Sequence, residues 1–154
     1  EALAIYSSAQ ALSAHRPGDR PMALDFRTIG LTALVETGGR IVVNPGTDAV
    51  LLPRPAVAAL AQGDEWLPAW RDGSLRELLL AEATAACPAI VDIDIAYAGE
   101  GLTRVLVAVD RASFAQGADA SAMKETLSAA LNAVGANPRL IASADRVEIA
   151  PVLR

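Results

Sequence analysis

The sequence predicts an α+β fold, sandwich-like, in which helices pack on a mainly antiparallel or mixed sheet and the chain divides into two halves of similar size. Apolar and polar residues alternate with a period of two between residues 90 and 110, and other segments place apolar residues at helical spacing. The 154 residues suit one domain or two small halves. Because 53% of them are apolar but only 4% aromatic, the core must consist mainly of aliphatic side chains.

The first half, residues 1–63, is expected to follow the order β-α-α-β-α. The apolar run Leu3 to Tyr6 predicts a strand, and Ser7 or Ser8 suits the N-cap of the helix after it. A loop rich in proline and glycine follows. Asp25 is then expected to begin the second helix of this half.

The β-branched run at residues 40–43 predicts the second strand of the first half. The segment Asn44-Pro45-Gly46-Thr47 follows it directly. Proline fixes one φ angle and glycine permits a positive one, so this segment predicts a type II turn. The last helix of this half is expected to end at Gly63.

Residues 64–73 separate the halves and contain both tryptophans, Trp66 and Trp70. We expect this segment to be a packed connector. The second half, residues 74–154, predicts the order α-β-β-α-β-β. Ser74 and Glu77 fit a capping box at the start of its first helix.

The alternation over residues 90–110 is interrupted at Gly99-Glu100-Gly101, where the chain is expected to reverse direction. The segment therefore predicts a β-hairpin. Asp119 suits the N-cap of the next helix. Leu140-Ile141 and Val147-Glu148-Ile149 predict two short final strands.

Charge and cysteine content argue against several classes of protein. The net charge is -5 and the basic residues are scattered singly, so we expect no nucleic acid partner. No apolar run approaches the ~18 residues that span a bilayer, so we expect no membrane partner. The single cysteine, Cys87, can form neither an internal disulfide nor the usual cysteine-based zinc site, which favours a reducing cytoplasm. Because the sequence begins at Glu1 rather than at methionine, we expect that a leader, tag or start segment is missing from it.

Two strand ends of the first half resemble the amino-terminal region of the SseB family. That family shows an apolar strand that ends in a Phe-Thr-Ser-like triplet, here Tyr6-Ser7-Ser8, and a later strand that ends in Asn-Pro-Gly, here Asn44-Pro45-Gly46. The second half looks like the less distinctive carboxy-terminal region of the same family. The family is named after enhanced serine sensitivity, a growth phenotype. The resemblance therefore implies a cytoplasmic bacterial protein of undefined biochemistry and supplies no catalytic residues.

Three kinds of residue are candidates for catalysis or metal binding. Asp92 and Asp94, with Asp110 near them, could bind Mg²⁺, but alternating aspartates are also typical of the wet face of a strand. His15 could act with Ser7 or Ser8, yet no Gly-x-Ser-x-Gly turn presents a nucleophile. Cys87 precedes Pro88 at a helix end, where a buried, inert thiol is usual. We expect no catalytic residue, no metal and no cofactor.

The remaining candidates concern binding. Because Ser7-Ser8 and Asn44-Pro45-Gly46 each follow a strand, they could share one rim of a sheet, although simple loop closure also explains both. Large aromatic residues such as Trp66 and Trp70 are frequent interface anchors. We therefore expect a non-catalytic cytoplasmic protein-interaction or regulatory module that binds a protein partner or a second copy of itself. The alternative is a small-molecule-binding protein or enzyme that uses Ser7, Ser8 and Asn44 to Gly46.

Overall fold

The chain forms two units, Glu1–Trp66 and Leu67–Arg154, in a computed structural model that describes residues 1–115 and 120–154. Each unit contains one three-stranded mixed sheet with helices packed against it, so the predicted α+β fold is confirmed. The boundary lies between Trp66 and Leu67, inside the segment that the sequence predicts to be a connector.

The first unit holds a sheet in the order β1-β2-β3, in which β1 and β2 are parallel and β2 and β3 antiparallel. Its elements in chain order are β1 (Leu3–Ile5), α1 (Ala9–His15), α2 (Phe26–Glu36), β2 (Ile41–Val43), β3 (Val50–Leu52) and α3 (Arg54–Gln62). The sequence prediction was wrong in omitting β3, because three residues between a turn and Pro53 are too few to show a period.

Local capping begins the first two helices as predicted. The Ser8 hydroxyl accepts a hydrogen bond from the Ala11 N–H at 3.1 Å, and the Asp25 carboxylate accepts one from the Thr28 N–H at 2.9 Å. Helices α2 and α3 then cover one face of the sheet. Their core is aliphatic apart from one ring, with the buried residues Ala33, Ile41 and Val57 surrounded by Leu3, Ile5, Phe26, Ile29, Leu34, Val43 and Leu52.

The second unit holds a sheet in the order β4-β5-β6, in which β4 and β5 are antiparallel and β5 and β6 parallel. After a short 3₁₀ helix, Ala69–Arg71, its described elements are α4 (Gly73–Ala86), β4 (Ile90–Tyr97), β5 (Leu102–Val109), α5 (Ala112–Ala115), α6 (Ala120–Gly135), α7 (Pro138–Ser143) and β6 (Arg146–Leu153). The predicted hairpin is confirmed as β4 and β5. Asp119, the expected N-cap of α6, lies outside the described residues.

Two predictions for the second unit were wrong. Helix α4 is capped by Asp72 rather than by Ser74, because the Asp72 carboxylate accepts the Leu75 N–H at 3.0 Å while the Ser74 hydroxyl donates to the same carboxylate. The expected strand at Leu140-Ile141 lies in helix α7, so the order α-β-β-α-β-β does not hold. Asn137 caps that helix with Pro138 in its first turn, a local signal that decides for helix over strand.

The outer strands of the second sheet are poorly suited to pairing with another strand. In β6 the Arg154 N–H donates to the Val109 carbonyl, so by alternation Pro151 faces the outer edge, where it has no N–H to offer. In β4 the pairing is interrupted by an irregularity between Ile90 and Asp92. Bulges and prolines are common ways in which proteins protect the edges of sheets.

Within the described residues, no helix combines the length and the apolar character that a membrane span requires.

Candidate functional site

The structure brings the two candidate segments of the first unit together at the ends of β1 and β2. The Asn44 side chain makes both contacts: its Oδ1 accepts the Ser7 N–H at 2.9 Å, and its Nδ2 donates to Ser7 Oγ at 3.0 Å. Parallel pairing of β1 with β2 is the reason, since it carries the carboxyl ends of both strands to one edge of the sheet.

The turn after β2 is held against the end of helix α1. Asn44 and Gly46 have positive φ angles of 52° and 92°, which permit the tight reversal. The His15 imidazole lies directly against Gly46, where an added Cβ would collide with the ring. His15 Nδ1 and the Tyr6 hydroxyl share a hydrogen bond of 2.8 Å. This network ties β1, α1 and the turn together.

The polar side chains of this arrangement bond one another and the local backbone. Both polar atoms of the Asn44 amide bond Ser7, and the Ser8 hydroxyl caps α1. The single histidine bonds Tyr6, and no hydrogen bond joins it to Ser7 or Ser8 in the described part of the chain. What the serines retain is a hydroxyl proton each, which they can donate to a bound group.

A groove of about 590 Å³ runs along the side of β1 that faces away from β2. It is lined by residues 3–9 and Leu12, which we call its floor, by segment 21–24, which we call its wall, and by Ile29 and Thr32 of α2. Ser7 and Ser8 therefore line the groove, whereas Asn44 and Gly46 support it from behind. The volume falls in the ~300 to 1,000 Å³ range of ordinary binding pockets.

The lack of charge among the described lining residues is as distinctive as the shape of the groove. Among the described residues that line it, none has a charged side chain, although 20% of the whole chain is charged. Met22 and Leu24 are exposed at 78% and 48% on its wall. Asp25, the neighbouring helix cap, points its carboxylate at Thr28, whose N–H and hydroxyl lower the pKa of that carboxyl.

Sequence reasoning missed two parts of the groove lining, segment 21–24 and the α2 residues Ile29 and Thr32. The predicted loop covers residues 16–21 and gives no role to Met22 and Leu24, which are large apolar residues beside Pro21, an unusual composition for a solvated turn. That signal was available in the sequence. The contributions of Ile29 and Thr32 were not, because they depend on how α2 packs over β1.

The two tryptophans are each half-buried. Trp70 packs on the core of the second unit, with its ring centroid 4.8 Å from that of Tyr97. Trp66 is the last residue of the first unit. A role for either residue in binding a partner remains a prediction.

The other candidates have structural partners. Asp92 is paired with Arg76 and Arg154, Asp94 is exposed, and Asp110 accepts the N–H of Ala112. The N–H of Ala112 and the hydroxyl of Ser113 lower the pKa of Asp110. In the part of the chain that the structure describes, no acidic, histidine or cysteine side chains gather as a metal site would require. Cys87 is a fully buried free thiol, as expected.

Comparison with known proteins finds one family. Residues 1–59 match the family model of the SseB protein N-terminal domain. No curated protein and no solved structure matches the chain. The matched residues contain β1 to β3 and most of α3, and therefore the whole groove with the network behind it. The resemblance seen in Tyr6-Ser7-Ser8 and Asn44-Pro45-Gly46 is thus confirmed, and residues 1–59 are similar to the SseB protein N-terminal domain.

Proposed function

We propose that this protein is a non-catalytic protein-interaction module and that the groove beside β1 binds its partner. The observation that carries the proposal is the exposure of Met22 and Leu24 on the wall of an uncharged groove. Large apolar side chains that stay in water at a concave site favour association, because an apolar partner would remove them from water. The engagement of His15 with Tyr6 supports a binding role over a hydrolytic one.

A cytoplasmic location is part of this proposal. The only cysteine of the chain, Cys87, is a buried free thiol, which suits a reducing compartment.

Site-specific cross-linking in cells that naturally express the protein tests the interaction. A photo-reactive amino acid is placed at Met22 in the groove wall or at Val35, which is 85% exposed on α2 and does not line the groove. We expect a discrete adduct from position 22 and none from position 35. Adducts that are equal at both positions, or absent from both, would show that the groove is not the interface.

The partner identified by mass spectrometry then allows a matched comparison. Leu24 lines the groove and Leu31 does not, yet their exposures are nearly equal at 48% and 51%. Leu24→Lys is expected to weaken binding by roughly tenfold or more, because it sets a charge in an apolar site, and Leu31→Lys to leave it unchanged. Equal losses in both variants would contradict the proposal.

A small-molecule ligand is the second candidate function. The volume of the groove and the hydroxyl protons of Ser7 and Ser8 favour it. A thermal-shift screen of metabolites tests it: a hit that Ser7→Ala removes would support this alternative. A screen without hits would contradict it.

A further inference from the structure

We infer that the groove is built for one class of partner, an uncharged extended segment of another protein that adds to β1 as a fourth strand of the sheet. This inference rests on the proposed function and specifies the mode of binding. Its basis is the direction of the main-chain groups along β1.

The peptide groups of β1 divide between its two sides. The Leu3 N–H donates to the Arg40 carbonyl, the Ile5 carbonyl accepts the Asn44 N–H, and the Ser7 N–H donates to Asn44 Oδ1. These odd-numbered residues therefore direct their main chain toward β2. In extended backbone, the N–H and C=O of Ala4 and Tyr6 must point the opposite way, into the groove.

Ala4 and Tyr6 are two residues apart, and this spacing matches the two-residue repeat of an incoming strand. An added strand would pair with the N–H and C=O of Ala4 and Tyr6, as in β-strand addition. The length available for that pairing is short, from Ala4 to Tyr6, because helix α1 begins at Ala9. The serines at the end of this length add hydroxyl donors beyond the last main-chain pair.

The edges of the second sheet carry features that hinder pairing with another strand, and β1 lacks them. In the second unit, β6 carries Pro151 where an edge N–H would stand, and β4 has an irregular register. Strand β1 has neither device: Ala4 is small and exposed. Strand β1 is therefore a more open edge than either edge of the second sheet, which favours pairing at β1 over pairing there.

The lack of charged lining residues determines which side chains an incoming segment can carry. A charged side chain in this groove would lose hydration without meeting an opposite charge, because no lining residue among those described carries one. Apolar side chains are favoured on the face of Ile29, which packs on the core together with Leu3 and Ile5. Uncharged polar residues can alternate with them on the face of the exposed Ala4.

Backbone methylation of a defined probe tests the inference. The probe is a capped peptide of about seven residues with alternating valine and threonine, long enough for an ordinary strand. One analogue is N-methylated at its valines and one at its threonines. Binding to the full ¹⁵N-labelled chain is followed by amide chemical shifts. We expect the largest shifts at Ala4, Tyr6 and residues 21–24, and slower hydrogen exchange at Ala4.

One methylation pattern is expected to weaken binding by roughly tenfold and the other by far less, because only alternate N–H groups of a paired strand face β1. A one-residue slip cannot rescue the weaker analogue, since it would turn the valines to the face of Ala4. A lysine in place of the central valine is expected to abolish binding. Leu24→Lys should weaken binding of the parent peptide while Leu31→Lys should not.

Several results would overturn the inference. Equal tolerance of both methylation patterns would show that side chains alone are recognised, and absence of peptide shifts at millimolar concentration would exclude strand addition. A dimer of the free protein that Leu24→Lys dissociates would identify a second copy as the occupant. If cross-linking from position 22 still depends on Leu24 in any of these cases, the interaction function stands and only the mode of binding is wrong.

Discussion

Asn44 shows how one side chain can position a whole site. Its amide satisfies the Ser7 N–H and Oγ together, so the ends of β1 and β2 are fixed relative to each other. Its positive φ also begins the turn that leads to Gly46. Asparagine is among the residues that tolerate this left-handed backbone, which is why one residue can do both.

Gly46→Ala is expected to lower the free energy of unfolding of the first unit by about 1 to 3 kcal/mol, because its φ of 92° disfavours a side chain and the new Cβ would meet the His15 ring. Urea titration followed by amide signals of this unit measures the change. Gly18→Ala is the control, since nothing lies within 4 Å of a Cβ built there. Equal effects of the two substitutions would refute the argument.

Asp72 makes the stability of helix α4 dependent on pH. The Ser74 hydroxyl, the Leu75 N–H and the Arg139 guanidinium all bond its carboxylate and hold its pKa below the ordinary value of 3.8. A carboxyl whose pKa is lower in the folded state stabilises the fold above its unfolded-state pKa. That contribution is lost as the pH falls below 3.8 and through the lower folded-state value.

The substitution Asp72→Asn removes the titratable carboxylate but keeps the helix cap, because asparagine is an equally good N-cap and does not titrate. We expect the wild-type protein to lose more stability than the variant between about pH 7 and about pH 3. Urea titration of amides in α4 at both pH values gives the comparison. Parallel losses in the two proteins would show that Asp72 does not contribute to the acid sensitivity.

At the scale of elements, the first unit depends on the close approach of α2 and α3. A Cβ added at Gly30 would lie 2.7 Å from Ala61 Cβ, so the two helices pack there through small residues. This contact holds α2 over the sheet, where Ile29 and Thr32 line the groove.

Gly30→Ala is expected to destabilise the first unit by about 1 to 3 kcal/mol through overpacking, even though alanine favours helix over glycine. The second substitution Ala61→Gly should restore part of the loss, because it removes the atom that collides. Gly73→Ala serves as a control in open space at the start of α4. Thermal denaturation monitored by NMR measures all variants. A stabilised Gly30→Ala would mean that the helices separate readily.

The caps show which element boundaries a sequence can reveal. Asp25 stands alone before its helical segment and was predicted as the cap, whereas the sequence allowed Ser7 or Ser8 for the first helix, and Ser8 is the cap. Asp72 and Ser74 are both good cap residues at the same helix start, so local preference does not choose between them. Arg139, distant in sequence, bonds the Asp72 carboxylate and Ser74 Oγ, a tertiary contact that no local pattern contains.

At the scale of the whole molecule, the two units differ in the size of their cores. The described part of the second unit has 16 buried residues in one cluster, whereas the cluster of the first unit has three buried residues within a ring of partly buried ones. Buried apolar area is the main source of stability, so the second unit should be the more stable.

Native-state hydrogen exchange of the full chain tests this difference. Strands β2 and β5 are both central and paired on both sides, which makes their amides comparable. We expect amides of β5, such as Val105 and Val107, to exchange about tenfold or more slowly than Val42 in β2. Equal protection of the two strands would indicate that the chain unfolds as one cooperative body.

The sequence by itself determined the α+β class, the hairpin, the starts of the first two helices and the SseB resemblance, because periodicity, capping residues and turn residues act over a few neighbours. Tertiary structure alone decided the groove. Its parts come from β1, segment 21–24 and α2, and they meet through the parallel pairing of β1 with β2 and the Gly30–Ala61 contact. Such contacts join residues far apart in the chain, so no local pattern records them.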